Sequence, residues 1–226
     1  MIRVYVRVWV QTVGGCLVPN PAVLPAGQWV HPGRVLDEAK VAEAERLFLD
    51  TLGWLGTANA THVFYQERDI VYTLQRRLCH LIERDDLPWT VFNDYPMLPG
   101  PRRAFSADLA LLCDGDVGLA AEFKYEPCHT RGDILRQKFP VTVWSDITKD
   151  TLRVGDFVAQ GRAAVAYAVC IDEGGYLARR DVSIFEEHLE WHGSCHPDHP
   201  IAVFIHREPA PSSRRAELIN RPRSDS

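Results

Sequence analysis

The stretch from Phe105 to Pro127 constrains this chain most, because it places charged residues on strands that otherwise resemble core. Its sequence is FSADLALLCDGDVGLAAEFKYEP, in which two apolar runs surround an Asp-Gly pair typical of a hairpin turn. Asp108, Glu122 and Lys124 interrupt the apolar pattern. Burying a charge is costly unless that charge is paired or bound to a metal. These three residues therefore require a common explanation.

The spacing of the charges predicts which of them share a face of the sheet. Side chains alternate between the two faces of a strand, so Glu122 and Lys124 point to one face and Phe123 points to the core. If the hairpin is symmetric about Gly115, Asp108 lies opposite Glu122, with the carboxylates about 5 Å apart. This register is expected to need a loop with an odd number of residues, since a two-residue turn would place the carboxylates on opposite faces.

The residue types at this point favour hydrolytic chemistry. Two carboxylates this close repel each other, and a divalent cation removes the repulsion. Mg²⁺ prefers oxygen ligands, keeps several waters and acidifies a bound water. A lysine in the same solvent-facing cleft is expected to orient that water, or to help deprotonate it, and to offset charge on an attacked phosphate. Lysine occurs only at positions 40, 124, 138 and 149, which favours a chemical role for Lys124.

The pattern along the chain predicts an α/β domain, with a small mixed β-sheet flanked by helices. Apolar residues at helical spacing indicate the helices, and alternating or continuous apolar runs indicate the strands. The helices are expected at 36–55, 66–83 and 146–161, and the strands at 89–95, 104–112, 117–123, 163–171 and 201–206.

The charged constellation also resembles a known motif. Asp108, thirteen intervening residues and then Glu-Phe-Lys at 122–124 resemble the core motif of the PD-(D/E)xK nucleases, the restriction-endonuclease-like superfamily. The predicted order of helix, three strands, helix and strand is similar to the common core of that superfamily. The resemblance covers about residues 62–171. A Ser-Ala pair precedes Asp108, where the name of the motif expects proline.

The resemblance implies a magnesium-dependent endonuclease, with Mn²⁺ as a substitute for Mg²⁺. It implies that Asp108 and Glu122 bind the metal, that these two and Lys124 are catalytic, and that Glu67 matches a glutamate often added by the first core helix. The implied substrate is nucleic acid, DNA by family analogy, and many nucleases of this kind are homodimers. A nuclease-like domain without activity, serving as a nucleic-acid or protein binding module, is the alternative. The presence of all three motif residues favours the enzyme.

Four basic residues near the motif are candidate contacts to nucleic acid. Arg102 and Arg103 precede the Asp108 strand, and Arg131 and Lys138 follow the Glu-x-Lys strand. In nuclease-like folds the latter segment can border the substrate cleft, whereas a solvated insertion is the alternative. The net charge of −5 gives no support for a broadly basic surface, so a local basic cleft is expected instead.

The remaining segments set the expected domain limits and the expected compartment. Residues 1–34 are interpreted as an N-terminal extension or a start codon placed too far upstream, 35–206 as the nuclease-like domain, and 207–226 as a disordered tail. Cys113 and Cys170 lie in apolar runs and are expected to be buried thiols, which indicates a reducing cytoplasm. No run reaches the roughly 18 apolar residues of a membrane span, so no membrane association is expected.

A histidine-rich segment at 188–199 is a second candidate metal site. Its potential zinc ligands fit no four-ligand spacing, so a polar loop is the expected structure and a zinc-stabilised interaction domain is the alternative. The potential ligands are His188, His192, Cys195, His196 and His199.

Overall fold

The structure, a computed structural model, describes residues 36–59, 62, 64–97, 106–128, 141–177, 180–191 and 200–209. The helices of this part are α1 (Glu38–Ala58), α2 (Glu67–Arg84) and α3 (Trp144–Ala159). The strands are β1 (Thr90–Pro96), β2 (Ser106–Cys113), β3 (Asp116–Glu126), β4 (Val165–Asp172), β5 (Glu187–Trp191) and β6 (Ile201–Glu208). Every predicted helix and strand is present, with its ends within three residues of the prediction.

The strands form one mixed sheet, which confirms the predicted α/β class. The strand order is β1-β2-β3-β4-β6-β5. The β3 and β4 strands run parallel, and every other neighbouring pair is antiparallel. Parallel neighbours require a crossover connection, and α3 lies in the one that joins β3 to β4. From α2 to β4, the elements follow one another in the predicted order, which is a helix, three strands, a helix and a strand.

The helices cover both faces of the sheet and divide its side chains into two layers. The α1 and α2 helices pack on the face that carries Phe123, which is 1% exposed and lies 6.3 Å from the ring of Phe48 in α1. As predicted, Phe123 points away from the face that carries Glu122. The opposite face packs against α3 through mostly small side chains, which allow a close approach: Ala120, Ala166, Ala168, Val154, Phe157 and Val158.

The hairpin between β2 and β3 differs from the predicted one. Its turn consists of two residues, Asp114 and Gly115, with φ angles of 53° and 90° that are typical of a type I′ turn. The expectation of an odd-length loop is therefore wrong. A β-bulge at Gly118 instead shifts the strand pairing by one residue. A Cβ atom at Gly118 would lie 2.5 Å from the buried ring of Trp89, so the bulge needs glycine.

Beyond the bulge, the register becomes the one that the metal-site hypothesis needs. Leu109 pairs with Ala121, so Asp108 lies opposite Glu122. The tight turn alone would have separated these carboxylates by the thickness of the sheet. The bulge returns them to one face, which is the face that α3 covers.

The histidine-rich segment begins with a strand rather than a loop. The β5 strand pairs with β6, with Trp191 opposite Ile201 and both side chains buried. The buried side chain of Trp191 therefore holds this short polar segment in the sheet, and the prediction of a polar loop is wrong for the residues of β5. Residues 192–199, which hold the other potential zinc ligands, lie outside the described residues.

The last strand extends beyond its predicted end and includes the start of the predicted tail. Arg207 pairs with Tyr167 in the sheet, and its Nε atom lies 2.6 Å from Oε1 of Glu45 in α1. Arg207 was predicted to begin a disordered tail, whereas pairing with β4 and this ion pair with Glu45 hold it in the sheet. Cys113 and Cys170 are buried free thiols, as predicted. Across the described ranges, no helix has the length and apolar character to cross a membrane.

Candidate active site

Charged side chains from four elements meet beside the β2–β3 pair. The two strands and α2 supply the four residues selected from the sequence, and α3 supplies two that the sequence analysis missed. The six residues are Glu67 of α2, Asp108 of β2, Glu122 and Lys124 of β3, and Asp150 and Arg153 of α3. We call this group the carboxylate cluster.

Asp108 is fixed by a backbone hydrogen bond. Its Oδ2 atom accepts from the N–H of Phe123 at 2.7 Å, so the carboxylate is tied to β3. Burial raises the pKa of Asp108, and the Phe123 N–H bond and the Lys124 charge only partly oppose this shift. The carboxylate is therefore held in place but is poorly neutralised by its protein neighbours.

Glu122 is the most buried carboxylate of the cluster, at 1% exposure. Its Oε2 atom lies 2.7 Å from Nη1 of Arg153, whereas its Oε1 atom has no hydrogen-bond partner in the described part of the chain. Burial raises the pKa of Glu122 to about 9, and the charge of Asp108 adds to the shift. A buried oxygen without a partner is destabilising, so this atom favours a proton or a cation beside it.

Lys124 is enclosed, which corrects the expectation that it faces solvent. Its side chain is 21% exposed, and its Nζ atom lies 2.8 Å from Oδ2 of Asp150 and 3.3 Å from Oε2 of Glu67. Burial alone would lower the pKa of Lys124, but the charges of Glu67 and Asp150 raise it overall. Because the ammonium then stays protonated, the geometry favours an orienting and electrostatic role over proton abstraction.

Glu67 approaches the cluster from the first residue of α2, as predicted from the sequence. Its side chain is 37% exposed and reaches Lys124. Helix capping does not occupy it, because Asp69 accepts the backbone N–H groups of Tyr65 and Gln66 at 2.8 and 3.1 Å. Burial raises the pKa of Glu67 to about 7, against the opposing charge of Lys124.

Asp150 and Arg153 extend the cluster from α3. They are three residues apart, and Nη1 of Arg153 lies 3.3 Å from Oδ1 of Asp150. The Asp150 side chain is 5% exposed. It lies on the same side of α3 as the buried residues Ile147, Val154 and Phe157. A charge on the apolar side of a helix was the feature that could have identified it from the sequence.

A buried glutamate at the end of β3 positions α3 over the cluster. Glu126 is 2% exposed and accepts the backbone N–H groups of Val141 and Thr142 at 3.2 and 2.7 Å. The Thr142 hydroxyl also donates to the carbonyl of Tyr125 at 3.1 Å. These bonds fix the chain just before α3 begins, and therefore fix where Asp150 and Arg153 lie.

The charges of the cluster fit a divalent cation. When all six residues are ionised, four carboxylates and two basic groups leave a net charge of −2. The raised pKa of Glu122 keeps this carboxyl protonated near neutral pH unless a cation displaces the proton. The unpartnered Oε1 of Glu122 is a hard oxygen of the kind that Mg²⁺ binds. Within the described residues, no three His, Cys, Asp or Glu side chains form a ready-made metal site. Asp108 and Glu122 could supply two oxygen ligands to an ion whose other ligands are waters, which is a common arrangement for Mg²⁺.

We expect the stability of the metal-free protein to fall as pH rises. Glu122 has a pKa of about 9 in the folded protein against 4.5 as the reference value, so the folded state holds its proton where the unfolded chain has lost it. The free energy of unfolding should therefore decrease across this window, by up to about 1.4 kcal/mol per pH unit. Urea unfolding in chelator at several pH values measures this slope.

A matched variant tests the origin of this pH dependence. Glu122→Gln should make the decrease less steep, because the amide cannot ionise, and the decrease that remains near pH 7 should come from Glu67, whose pKa is also raised. Stability that stays constant or rises over the same window in the wild type would contradict the raised pKa of Glu122.

The four basic residues proposed to contact nucleic acid, Arg102, Arg103, Arg131 and Lys138, lie outside the described residues. Their position relative to the carboxylate cluster therefore stays a prediction. The chain matches no protein-family model, no curated protein and no solved structure.

Proposed function

We propose that this protein is a metal-dependent nuclease of the PD-(D/E)xK type, and that it hydrolyses phosphodiester bonds in DNA. The convergence of Asp108, Glu122 and Lys124 with Glu67 is the observation that supports this proposal most strongly. The motif alone is short, but its residues meet from two adjacent strands and the preceding helix. The order of elements around them is the one that the resemblance implies.

The residues of the cluster have distinct roles in the proposed reaction. Asp108 and Glu122 would hold the cation, which would supply an acidified water and polarise a phosphate oxygen. Lys124 orients the attacking water and offsets the charge that develops on the phosphate. Glu67 and Asp150 hold the Lys124 ammonium in place from two sides. Substrate approaches past Glu67, the more exposed of these two carboxylates.

One observation favours the alternative, a nuclease-like domain that binds without cleaving. Arg153 lies 2.7 Å from Glu122, and Lys124 is shared by two carboxylates, so the cluster is partly neutralised without a metal. A structural ion-pair network would have the same contacts. Cation binding distinguishes the two functions, because a purely structural network has no need of a divalent ion.

The proposal is tested by combining a binding measurement with a cleavage assay. Calorimetric titration with Mn²⁺ should show binding to the purified protein at neutral pH. Cleavage of supercoiled, linear and single-stranded DNA should require Mg²⁺ or Mn²⁺ and should stop on chelation. An RNA substrate in the same assay tests the choice of DNA. Failure to bind Mn²⁺ would contradict the proposal directly, whichever substrates are tried.

An exposed side of α2 supports nucleic acid as the substrate class. Arg68, Tyr72 and Arg76 are spaced four residues apart, so they line one side of the helix, beginning beside Glu67. All three are exposed, and Tyr65 just before the helix is 55% exposed. Arginine neutralises backbone phosphates, and tyrosine stacks on unpaired bases. This exposed side of α2 therefore suits contact with a nucleic-acid strand.

We expect the double substitution Arg68→Glu and Arg76→Glu to weaken DNA binding by about tenfold or more. It should also reduce the slope of log affinity against log salt by about two, since two phosphate contacts are lost. Fluorescence anisotropy in chelator measures binding without cleavage. The control is Arg46→Glu, an exposed arginine on α1. An equal loss in this control would indicate a general charge effect and would contradict a specific role for α2.

A further inference from the structure

The Arg153 guanidinium lies where a cation bound to Glu122 would be expected. Its Nη1 atom is 2.7 Å from Oε2 of Glu122, which is the length of a strong charge-assisted hydrogen bond. The Arg153 side chain is 18% exposed and Glu122 is 1% exposed, so water screens the pair weakly. When Glu122 is ionised, Arg153 is therefore the nearest protein counter-charge to the most buried carboxylate in the cluster.

Arg153 and a metal ion would compete for the same carboxylate, Glu122. A divalent cation held by Asp108 and Glu122 would lie close to the guanidinium, and like charges repel strongly in a partly buried site. The Oε1 atom of Glu122 has no partner and can accept a cation, but the Oε2 atom is already engaged. Binding of the ion by both oxygens, or close to Oε2, requires that the guanidinium leave.

Asp150 provides the place to which Arg153 can move. The Oδ1 atom of Asp150 is already 3.3 Å from Nη1 of Arg153, and the two residues are one turn apart on α3. If the guanidinium left Glu122, it would keep a carboxylate partner that is already within 3.3 Å. The other oxygen of Asp150 holds Lys124 at 2.8 Å, so one carboxylate would then bind both basic groups.

We propose that Arg153 is an internal counter-ion, which occupies Glu122 in the metal-free protein and is transferred to Asp150 when a divalent cation binds. The proposal rests on the proposed function, because it assumes a cation at Asp108 and Glu122. Under this proposal, the positive charge of Arg153 competes with the cation for Glu122 and thereby lowers the affinity of the protein for the metal. Arg153 and Asp150 are then positioning residues that balance the charge of the carboxylates when no cation is bound.

The proposal is tested by Mn²⁺ titration of the wild type, Arg153→Met and Arg153→Lys. Removing the competing charge in Arg153→Met should tighten Mn²⁺ binding by about tenfold or more, whereas Arg153→Lys, which keeps the charge, should bind within a few-fold of the wild type. Equal or weaker binding by Arg153→Met would overturn the counter-ion role while leaving the nuclease proposal standing. If neither the wild type nor Arg153→Met binds Mn²⁺, both proposals are wrong.

A second measurement on the wild type covers the case in which Arg153→Met does not fold. The Nε–Hε resonance of Arg153, identified by its absence in Arg153→Lys, should shift on titration with Mg²⁺. A parallel titration with Ca²⁺ at the same concentrations shows whether other divalent ions also shift the Arg153 resonance. The same resonance should stay unchanged when Mg²⁺ is added to Asp108→Asn. A resonance that Mg²⁺ does not move in the wild type would overturn the proposed transfer.

Discussion

Asp108→Asn is expected to abolish metal-dependent cleavage while leaving the metal-free protein at least as stable as the wild type. Asparagine has the same shape as aspartate, and its side-chain oxygen can still accept the N–H of Phe123. The neutral amide is a poor ligand for a hard cation, so Mn²⁺ affinity should fall together with activity. Loss of the charge also removes its repulsion of Glu122, which favours the folded state without metal.

The combination of these results separates a catalytic role for Asp108 from a structural one. Mn²⁺ titration, cleavage assays and urea unfolding in chelator measure the three quantities on the same samples. Asp114→Asn is a matched control in the same hairpin, where asparagine suits the positive φ of the turn. Unfolding of Asp108→Asn would show that the aspartate supports a buried network, and the nuclease proposal would then lose its main support.

Lys124→Ala is expected to reduce cleavage by about a thousandfold, which is the cost of removing a group that stabilises developing charge. The structure adds a stability cost that the sequence did not suggest. Asp150, which is 5% exposed, loses its contact with the ammonium, so we expect a loss of about 1–3 kcal/mol in the free energy of unfolding. Arg153 remains beside Asp150 and should limit the loss to this range.

Kinetics and urea unfolding of Lys124→Ala measure these two effects separately. Lys149→Ala is the control, because this lysine is exposed on α3 and the substitution should leave both quantities near the wild type. Cleavage by Lys124→Ala at the wild-type rate would show that Lys124 is only an ion-pair partner of Glu67 and Asp150.

The helices and strands of the described part were predictable because their apolar periods are clear. The α2 helix has buried residues at helical spacing, and β4 is buried along its whole length. The β5 strand was missed because its five residues are mostly polar, and it is held at the edge of the sheet by pairing with β6. Long-range pairing of this kind leaves little trace in a short polar segment.

The site was predictable in composition but not in its local geometry. Alternation placed Glu122 and Lys124 on one face, yet the turn and the bulge at Gly118 each shift the register by one residue and cancel. The two-residue turn at Asp114 and Gly115 and the packing of Trp89 on Gly118 distinguish this hairpin from one with an odd-length loop. Either hairpin places Asp108 opposite Glu122, so the two carboxylates share a face although the predicted loop length is wrong.

The contribution of α3 required the tertiary structure. Asp150 has a charge on an otherwise apolar helix face, which marks it as unusual but does not name its partner. Its contact with Lys124 depends on the crossover between β3 and β4 and on the hydrogen bonds of Glu126 that fix the start of α3. The spacing of residues in the sequence indicates neither the path of this crossover nor the hydrogen bonds of Glu126.

A crystal structure with bound Mn²⁺ would show whether Asp108 and Glu122 hold a metal ion, because the anomalous scattering of manganese locates the ion independently of any activity. We predict a single strong anomalous peak within about 2.0–2.4 Å of a carboxylate oxygen from both Asp108 and Glu122, with waters completing the coordination. A peak elsewhere, or no peak at Mn²⁺ concentrations that saturate the titration, would contradict the assignment of these carboxylates as the metal site.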